Sequence, residues 1–299
     1  MPPALSFVVS RSVRAVLLVF VVSSAVLLLV HLAPGDAFSD VQADPETVAA
    51  ARARFGLDRP FVEQYAAWLR RALVLDFGES TRFHRPVTAL LGERLGNTLR
   101  LGAAALVLAI GIGLPAGVLT ASAPRRPYGW ILRASSLLLI ATPPLVTALV
   151  LLLLESRTGW PPRGLLLATL ALALPVAAAL ERLQSRAMDE ALADPCITAA
   201  RARGVPRARA VWVHALPLAL KPVLGVLGIV IGTLLSGSFV VEYVTNWPGI
   251  GTLMYDALIA RDLFLAAGCA AAGSLLLALG LLLTDVALLV VDPRMQEAG

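Results

Sequence analysis

The sequence predicts an all-α polytopic membrane protein with about six transmembrane helices, a long loop after the first helix and a short basic hairpin before the fifth. Hydrophobic residues make up 58% of the 299 residues and charged residues 15%, against roughly 45–50% and 25% in soluble domains. Because one folded core cannot bury such an excess, much of the apolar surface must face lipid. The apolar residues are gathered into six segments, most of them long enough to cross a hydrocarbon core about 30 Å thick.

Each of the six segments is predicted from its own residues. The first, 15–33, follows Arg11 and Arg14. It is longer than the apolar region of a signal peptide and no small-residue cleavage site follows it, so it is expected to stay as an anchor. The fourth, 164–180, is the shortest, and transmembrane helices tolerate a proline such as its Pro175. The others are 101–123, 134–154, 222–241 and 263–291.

The basic residues between these segments indicate an orientation. With six spans, the clusters fall on one side, which the positive-inside rule places in the cytoplasm together with both termini. They do not form a continuous basic surface interleaved with aromatic residues, so the net charge of +5 does not indicate a nucleic-acid partner. The residues of the clusters are Arg11, Arg14, Arg125, Arg126, Arg133, Arg182, Arg186, Arg201, Arg203, Arg207, Arg209, Lys221 and Arg294.

The long loop, 34–97, is expected to lie outside the cell and to hold two helices. The first covers 45–55 and ends at Gly56, and the second covers 60–75 with Phe61, Tyr65 and Trp68 spaced as on one helix face. This aromatic face holds the loop against the membrane or a partner, or it packs within the loop; the sequence leaves both open. The predicted organisation is 1–33 as tail and first helix, 34–97 as a loop domain, and 98–299 as a five-helix core.

Residue patterns for chemistry are largely missing. There is no phosphate-binding G-x-x-x-x-G-K-[ST] loop, and the single lysine, Lys221, lies in an unrelated context, so ATP hydrolysis by this chain is not expected. His31, His84 and His214 lack a second ligand at metal-binding spacing, and two cysteines are too few for a thiolate site. We therefore predict no enzyme activity, metal or cofactor in the chain itself.

Two acidic residues lie in or at the end of apolar segments. Asp285 lies within the last segment and Glu242 at the end of the fifth. Ionisable groups in a membrane are costly and often mark a translocation path. They are therefore candidates for that path, as in an ion-coupled carrier, or for polar contacts within the helix bundle.

The hairpin, 194–217, interrupts the apolar sequence. Asp194 can cap a helix that begins at Pro195 and ends at Gly204, and Pro206 begins a second helix expected to end at Pro217. Small residues in the first arm allow another backbone to come close, and the arginines supply donors around them. The hairpin is therefore either a docking surface for a partner protein or a basic loop that touches anionic lipid.

The spacing of residues within the hairpin distinguishes these two interpretations. The order Thr198-Ala199-Ala200, three residues, Gly204, nine residues, then His214-Ala215-Leu216-Pro217 resembles the cytoplasmic signature of ABC-importer permease subunits. Thr198 stands where the signature has Glu, and His214 stands where it has Ile. In these two positions the hairpin is similar to the dipeptide/oligopeptide (and nickel) branch. Further blocks resemble that branch in the same order, among them LAPGD, DFGES, EYVTNWPGIGTLMYDALIARD and TDVALLVVDPR. Thr245 and Leu75 depart from its usual residues.

The resemblance implies one half of the channel of a binding-protein-dependent importer in a bacterial inner membrane. It implies a second, similar permease, two cytoplasmic ATPases that bind ATP and Mg, an extracytoplasmic solute-binding protein, and membrane lipid as surroundings. Peptides are the commonest solute, with nickel and other small solutes as alternatives. An ion-coupled carrier and a scaffold without transport remain as other classes.

The resemblance also assigns expected roles to residues. The outer residues Trp247, Pro248, Gly249 and Gly251 are expected to face the solute-binding protein. The residues expected to couple to the ATPase are Thr198, Ala199, Ala200, Arg201, Arg203, Gly204, Arg207, His214, Leu216 and Pro217.

Overall fold

The computed structural model describes residues 3–39, 44–123 and 126–291, with side chains for 10–39, 44–123 and 126–284. Within these ranges the chain is helical, and its only extended pairing is an isolated bridge between Glu79 and Pro86. The helices are α1 (Pro3–Leu32), α2 (Pro45–Phe55), α3 (Phe61–Ala72), α4 (Val87–Ser122), α5 (Pro127–Ala141), α6 (Pro144–Thr158), α7 (Leu165–Ala193), α8 (Pro195–Ala202), α9 (Arg207–Arg209), a π-helix (Ala210–Ala215), α10 (Leu216–Gly225), α11 (Leu227–Val244), α12 (Ile250–Ile259) and α13 (Leu263–Val291).

The predicted all-α membrane fold is confirmed. In the described part of the chain, α1, α4, α7, α11 and α13 each contain a stretch long and apolar enough to span a membrane. The third predicted segment, 134–154, is not one straight helix. It is divided between α5 and α6, which meet at an angle of 109° and form either a broken span or a re-entrant loop. Pro143 fixes its own φ and holds Thr142 in an extended conformation (φ −96°, ψ 118°), so the helix must break there.

The fourth and fifth spans also differ from the sequence prediction. The fourth was predicted as the shortest segment, 164–180, but α7 is 29 residues long and continues through Pro175 to Ala193. The charged residues that follow Leu180 end the apolar run without ending the helix. The fifth, predicted as 222–241, is divided at Val226 (φ −102°, ψ 0°) between α10 and α11.

The chain separates into two compact units. The first contains Met1–Leu99 and Pro248–Leu282. Its apolar cluster centres on Leu27, Trp68, Leu263 and Ala267. Both helices predicted for the long loop are present as α2 and α3, and Gly56 ends α2 with φ 70°, as expected.

A partly exposed ion pair helps to fix the start of this loop. The Arg52 guanidinium donates to both carboxylate oxygens of Asp36, at 2.7 and 3.1 Å. Partial burial opposes ionisation of Asp36, but hydrogen bonds from Arg52, Ser39 and the Phe38 amide outweigh it and lower its pKa. The carboxylate is therefore held as a charged anchor for α2.

The second unit contains Arg100–Trp247 and Leu283–Ala298, and α7 runs through its main apolar cluster. Helix α4 approaches α7 closely at two glycines. A Cβ on Gly113 would lie 2.5 Å from the Ala177 carbonyl oxygen, and one on Gly117 would lie 2.7 Å from the Glu181 carbonyl oxygen. Only glycine permits this separation of the two helices. The predicted division at 33/34 and 97/98 stays a prediction.

Candidate functional site

The first arm of the hairpin is a short capped helix, as the sequence predicts. The Asp194 side chain accepts a hydrogen bond from the Cys196 amide at 2.7 Å, and Pro195 lies in the first turn of α8. A carboxylate at this position satisfies an amide that has no partner within the helix. The start of the arm is therefore fixed by local chemistry.

The turn of the hairpin is a Schellman motif. The Val205 amide donates to the Ala200 carbonyl at 3.2 Å, and the Gly204 amide donates to the Arg201 carbonyl at 3.0 Å. Gly204 has φ 91°, which residues with a side chain rarely adopt. A turn closed by two crossed hydrogen bonds is a rigid connection, so the two arms keep a defined relation.

The return arm differs from the expected helix that ends at Pro217. The backbone passes from α9 into a π-helix over Ala210–Ala215 and continues without a break into α10, whose first turn contains Pro217. Proline lacks an amide hydrogen and so cannot donate to a helix. Pro217 lies where the π-helical hydrogen-bond pattern changes to the α-helical one, and at that position the donor is not needed. The hairpin is therefore continuous with the helix that precedes the fifth span.

Apolar contacts and one charged contact anchor the hairpin to its own unit. Val211 and Ala215 of the π-helix belong to a buried cluster with residues of α4 and α7, among them Met188. The Arg207 guanidinium donates to the carbonyl of Ser122, the last residue of α4. Arg207, expected to contact an ATPase, thus supplies at least one donor inside the chain.

The surface left exposed is small and basic. The side chains of Arg201 and Arg203 form no hydrogen bond or ion pair with the part of the chain that the structure describes. Apart from its two chain neighbours, no atom of the described residues lies within 4 Å of a Cβ built on Gly204. Of the ten predicted coupling residues, the exposed ones are Thr198, Ala199, Arg201, Arg203, Gly204, Arg207 and Pro217, while Ala200, His214 and Leu216 are half-buried. Leu216 packs against the buried cluster, so it serves to anchor the hairpin.

The other predicted site residues lie apart from the hairpin in the chain. Glu242 is fully buried near the end of α11, and Asp285 lies in the part of α13 whose side chains the structure does not describe. Trp247 is half-buried and packs against the main cluster of the second unit. The roles proposed for these residues stay predictions.

The turn that follows α11, expected to face the solute-binding protein, is partly buried, and its predicted role stays a prediction. Pro248 is exposed, but Gly249 and Gly251 are buried within the first unit. The Ile250 amide donates to the Thr98 hydroxyl at 2.9 Å, and the Asn97 side chain donates to the Pro248 carbonyl at 2.9 Å. In the first unit, the backbone of this turn is therefore held by residues of the N-terminal third of α4.

The sequence prediction missed a buried polar pair in α7. Glu181 is 2% exposed and Gln184 0%, and none of their side-chain oxygens or nitrogens has a hydrogen-bond partner among the described residues. They lie one turn apart where α7 contacts Gly117. Because the apolar run ends at Leu180, the predicted segment stopped before Glu181 and Gln184. The helical pattern that continues beyond Leu180 was the sequence signal that could have revealed them.

The helical fold is that of an ABC-transporter membrane subunit. It matches a solved structure of the MetNI methionine ABC transporter in an inward-facing conformation, with a TM-score of 0.54 over 70% of this chain and 95% of that chain. At 21% identity, this likeness establishes the fold alone.

Family models extend the comparison to the sequence. The family described as binding-protein-dependent transport system inner membrane component matches residues 113–297, and its N-terminal companion matches residues 4–101. The chain belongs to this family: it is a permease subunit of an ABC importer.

Three relatives are similar over most of their length. The chain is 30% identical to the oligopeptide transport system permease protein AppB of Bacillus subtilis, over 97% of this chain and 99% of that protein. It is 32% identical to the glutathione transport system permease protein GsiC of Escherichia coli K12, over 86% and 88%. It is 33% identical to a Brucella suis protein provisionally named a peptide permease, over 91% and 92%.

Proposed function

We propose that the chain forms one half of the translocation path of an ATP-driven importer for di- or oligopeptides. The observation that carries the choice of solute is that relatives similar over most of this chain are named for oligopeptides, peptides and glutathione, itself a tripeptide. In this proposal a second, homologous permease forms the other half, and a solute-binding protein outside the cell delivers the peptide.

ATP and Mg are bound by two separate ATPase subunits, and the hairpin 194–217 docks on one of them. Support comes from its construction, because a rigid turn on a buried anchor can transmit a displacement that a flexible loop would absorb. Arg201 and Arg203 supply charged donors at the exposed end, and Ala199 leaves room for a close backbone approach. Both termini and the hairpin then face the cytoplasm, as the basic clusters indicate.

Uptake by a reconstituted transporter tests the solute. Proteoliposomes that contain this chain, its partner permease and the ATPases, with the binding protein added outside, should accumulate labelled Leu-Leu or a tripeptide only when ATP is supplied to the ATPases. Unlabelled peptide should compete, and nickel should not. Collapse of ion gradients should leave the initial rate unchanged.

Three other results would change the proposal in different ways. Accumulation of nickel without peptide would replace the solute and keep the transporter class. Accumulation of glutathione with no other peptide would narrow the solute to that tripeptide. Uptake that needs an ion gradient and no ATP would instead support the ion-coupled carrier.

A further inference from the structure

Helix α3 carries an aliphatic stripe that the proposed transport role leaves unexplained. Val62, Ala66, Leu69 and Leu73 follow one another at intervals of four, three and four residues, so they share one face of the helix. Val62 is 75% exposed and Leu73 80%, at the two ends of the stripe. Contiguous apolar surface of this kind marks a contact with another molecule or with a membrane.

The aromatic face of α3, by contrast, is packed on α1. The Phe61 ring stacks on the His31 ring with centroids 4.3 Å apart, and the Tyr65 and Ser24 hydroxyls are 2.9 Å apart. Trp68 is buried in the apolar cluster of the first unit. The sequence left open what this face contacts, and the structure shows that it attaches α3 to a membrane-spanning helix.

These contacts lie beside the apolar part of α1. The candidate span Ser10–Leu32 has 23 residues, which is about 34 Å of helix and close to the thickness of a hydrocarbon core of about 30 Å. Ser24 lies eight residues before Leu32, about 12 Å from the end of the span. The Tyr65 side chain therefore reaches a level of α1 that lies within the hydrocarbon region. With 12 residues, or about 18 Å, α3 is too short to cross the membrane, so it can only lie near the boundary.

The surface between α1 and α3 is apolar and open. It contains a crevice of about 260 Å³ lined by Ser24, Ala25, Leu28, Phe61 and Tyr65. Two of these side chains are polar, and their hydroxyls bond to each other. Because a polar group in hydrocarbon needs a partner within the protein, this pairing makes the crevice suited to acyl chains.

The aliphatic stripe adjoins this surface. At about 100° per residue, the stripe occupies the sector of α3 between its aromatic face and the charged residues Glu63 and Arg70. The Arg70 side chain is exposed and forms no hydrogen bond or ion pair with any described residue. An aliphatic sector with charges beside it is typical of a helix at a membrane interface, where long charged side chains reach the headgroups.

We propose that α3 is an interfacial helix whose aliphatic stripe lies against the acyl chains of the phospholipid leaflet next to the C-terminal end of α1. Lipid is the occupant that fits, because the stripe continues the open apolar surface of α1 at a level below the end of its span. Under the proposed orientation this leaflet is the outer one. The inference does not depend on which solute is transported.

Spin labels on single cysteines test this in the assembled transporter in phosphatidylcholine nanodiscs. In a Cys196→Ser background, Val62→Cys and Leu73→Cys place labels on the stripe, and Glu63→Cys places one at an exposed position on the charged side. Oxygen concentrates among acyl chains, whereas a nickel chelate stays in water. The ratio of oxygen to nickel accessibility should be at least threefold higher at both stripe positions than at Glu63. The background protein, whose Cys269 is buried, should take up little label.

Three outcomes would overturn the interfacial helix. Nickel accessibility as high at Val62 and Leu73 as at Glu63 would place the stripe in water. Low accessibility to both reagents at the two stripe positions would show that another subunit covers them. Loss of accessibility when the solute-binding protein is added would make the stripe a docking surface for that protein. Failure of peptide uptake would refute only the proposed solute, because these measurements need no transport.

Discussion

The glycines of α4 determine how closely two membrane helices approach. Gly113 and Gly117 lie four residues apart, on one face of the helix, and both face the backbone of α7. Gly111 lies on the same helix, but beyond the adjacent backbone of α4 no described atom lies within 4 Å of a Cβ built on it. Alanine substitution at Gly117 and at Gly111 therefore distinguishes the cost of disturbing close helix packing from the intrinsic effect of replacing a glycine.

Gly117→Ala should destabilise the protein, because the new Cβ would lie 2.7 Å from both the Gln184 Cβ and the Glu181 carbonyl oxygen. Overpacking of this kind costs about 1–3 kcal/mol. Gly111→Ala should be neutral or stabilising by up to about 1 kcal/mol. The thermal midpoint of the purified protein in detergent measures both. Equal midpoints for the two variants would show that α4 and α7 are not in close contact here.

The buried Glu181 gives a second residue-level prediction. A carboxyl group with both oxygens buried and unpaired costs at least about 1–3 kcal/mol. Glu181→Met, which keeps the length and removes the polar atoms, should raise the thermal midpoint. Glu190→Met changes an exposed carboxylate on the same helix and should leave the midpoint nearly unchanged. A lower midpoint for Glu181→Met would mean that the folded protein requires this carboxyl group.

At the level of elements, the sequence predicted what is encoded locally. The Asp194 cap and the glycine that ends α2 depend on a few adjacent residues, and both were predicted correctly. The break at Thr142 was readable from the Pro143-Pro144 pair, but hydropathy averaged over the segment concealed it. The end of α7 is also encoded locally, by the Asp194-Pro195 pair that follows it, but the loss of apolar residues after Leu180 concealed the continuation of the helix. The helix through Pro217 could not be read in this way, because it depends on packing against α4 and α7 and on a π-helical register.

The hairpin supports a prediction that separates backbone strain from docking. Gly204 and Gly159 have φ of 91° and 74°, and a Cβ at either would meet no described atom within 4 Å other than those of its chain neighbours. Gly204→Asp and Gly159→Asp should therefore cost similar stability. If the hairpin docks on an ATPase, only Gly204→Asp should reduce co-purification of the ATPases, by at least tenfold, and abolish ATP-driven uptake. Normal uptake by Gly204→Asp would rule out docking through this turn.

For the whole molecule, the two units carry different features. The first contains the apolar cluster around Trp68, and the second contains the basic hairpin and the α4–α7 contact. If the hairpin docks on an ATPase, as proposed, it must lie on the cytoplasmic side of the membrane. The side on which the hairpin lies is thus the property on which the mechanism depends.

The native cysteines allow that property to be measured. Cys196 is exposed in the hairpin and Cys269 is buried. A membrane-impermeant maleimide should therefore leave the protein unlabelled in intact spheroplasts and label Cys196 in inside-out vesicles. In a Cys196→Ser background, Asp58→Cys, at an exposed position between α2 and α3, should show the reverse. Labelling of Cys196 in sealed spheroplasts would place the hairpin outside, where no ATPase could reach it. The positive-inside rule would then have failed for the arginines of the hairpin.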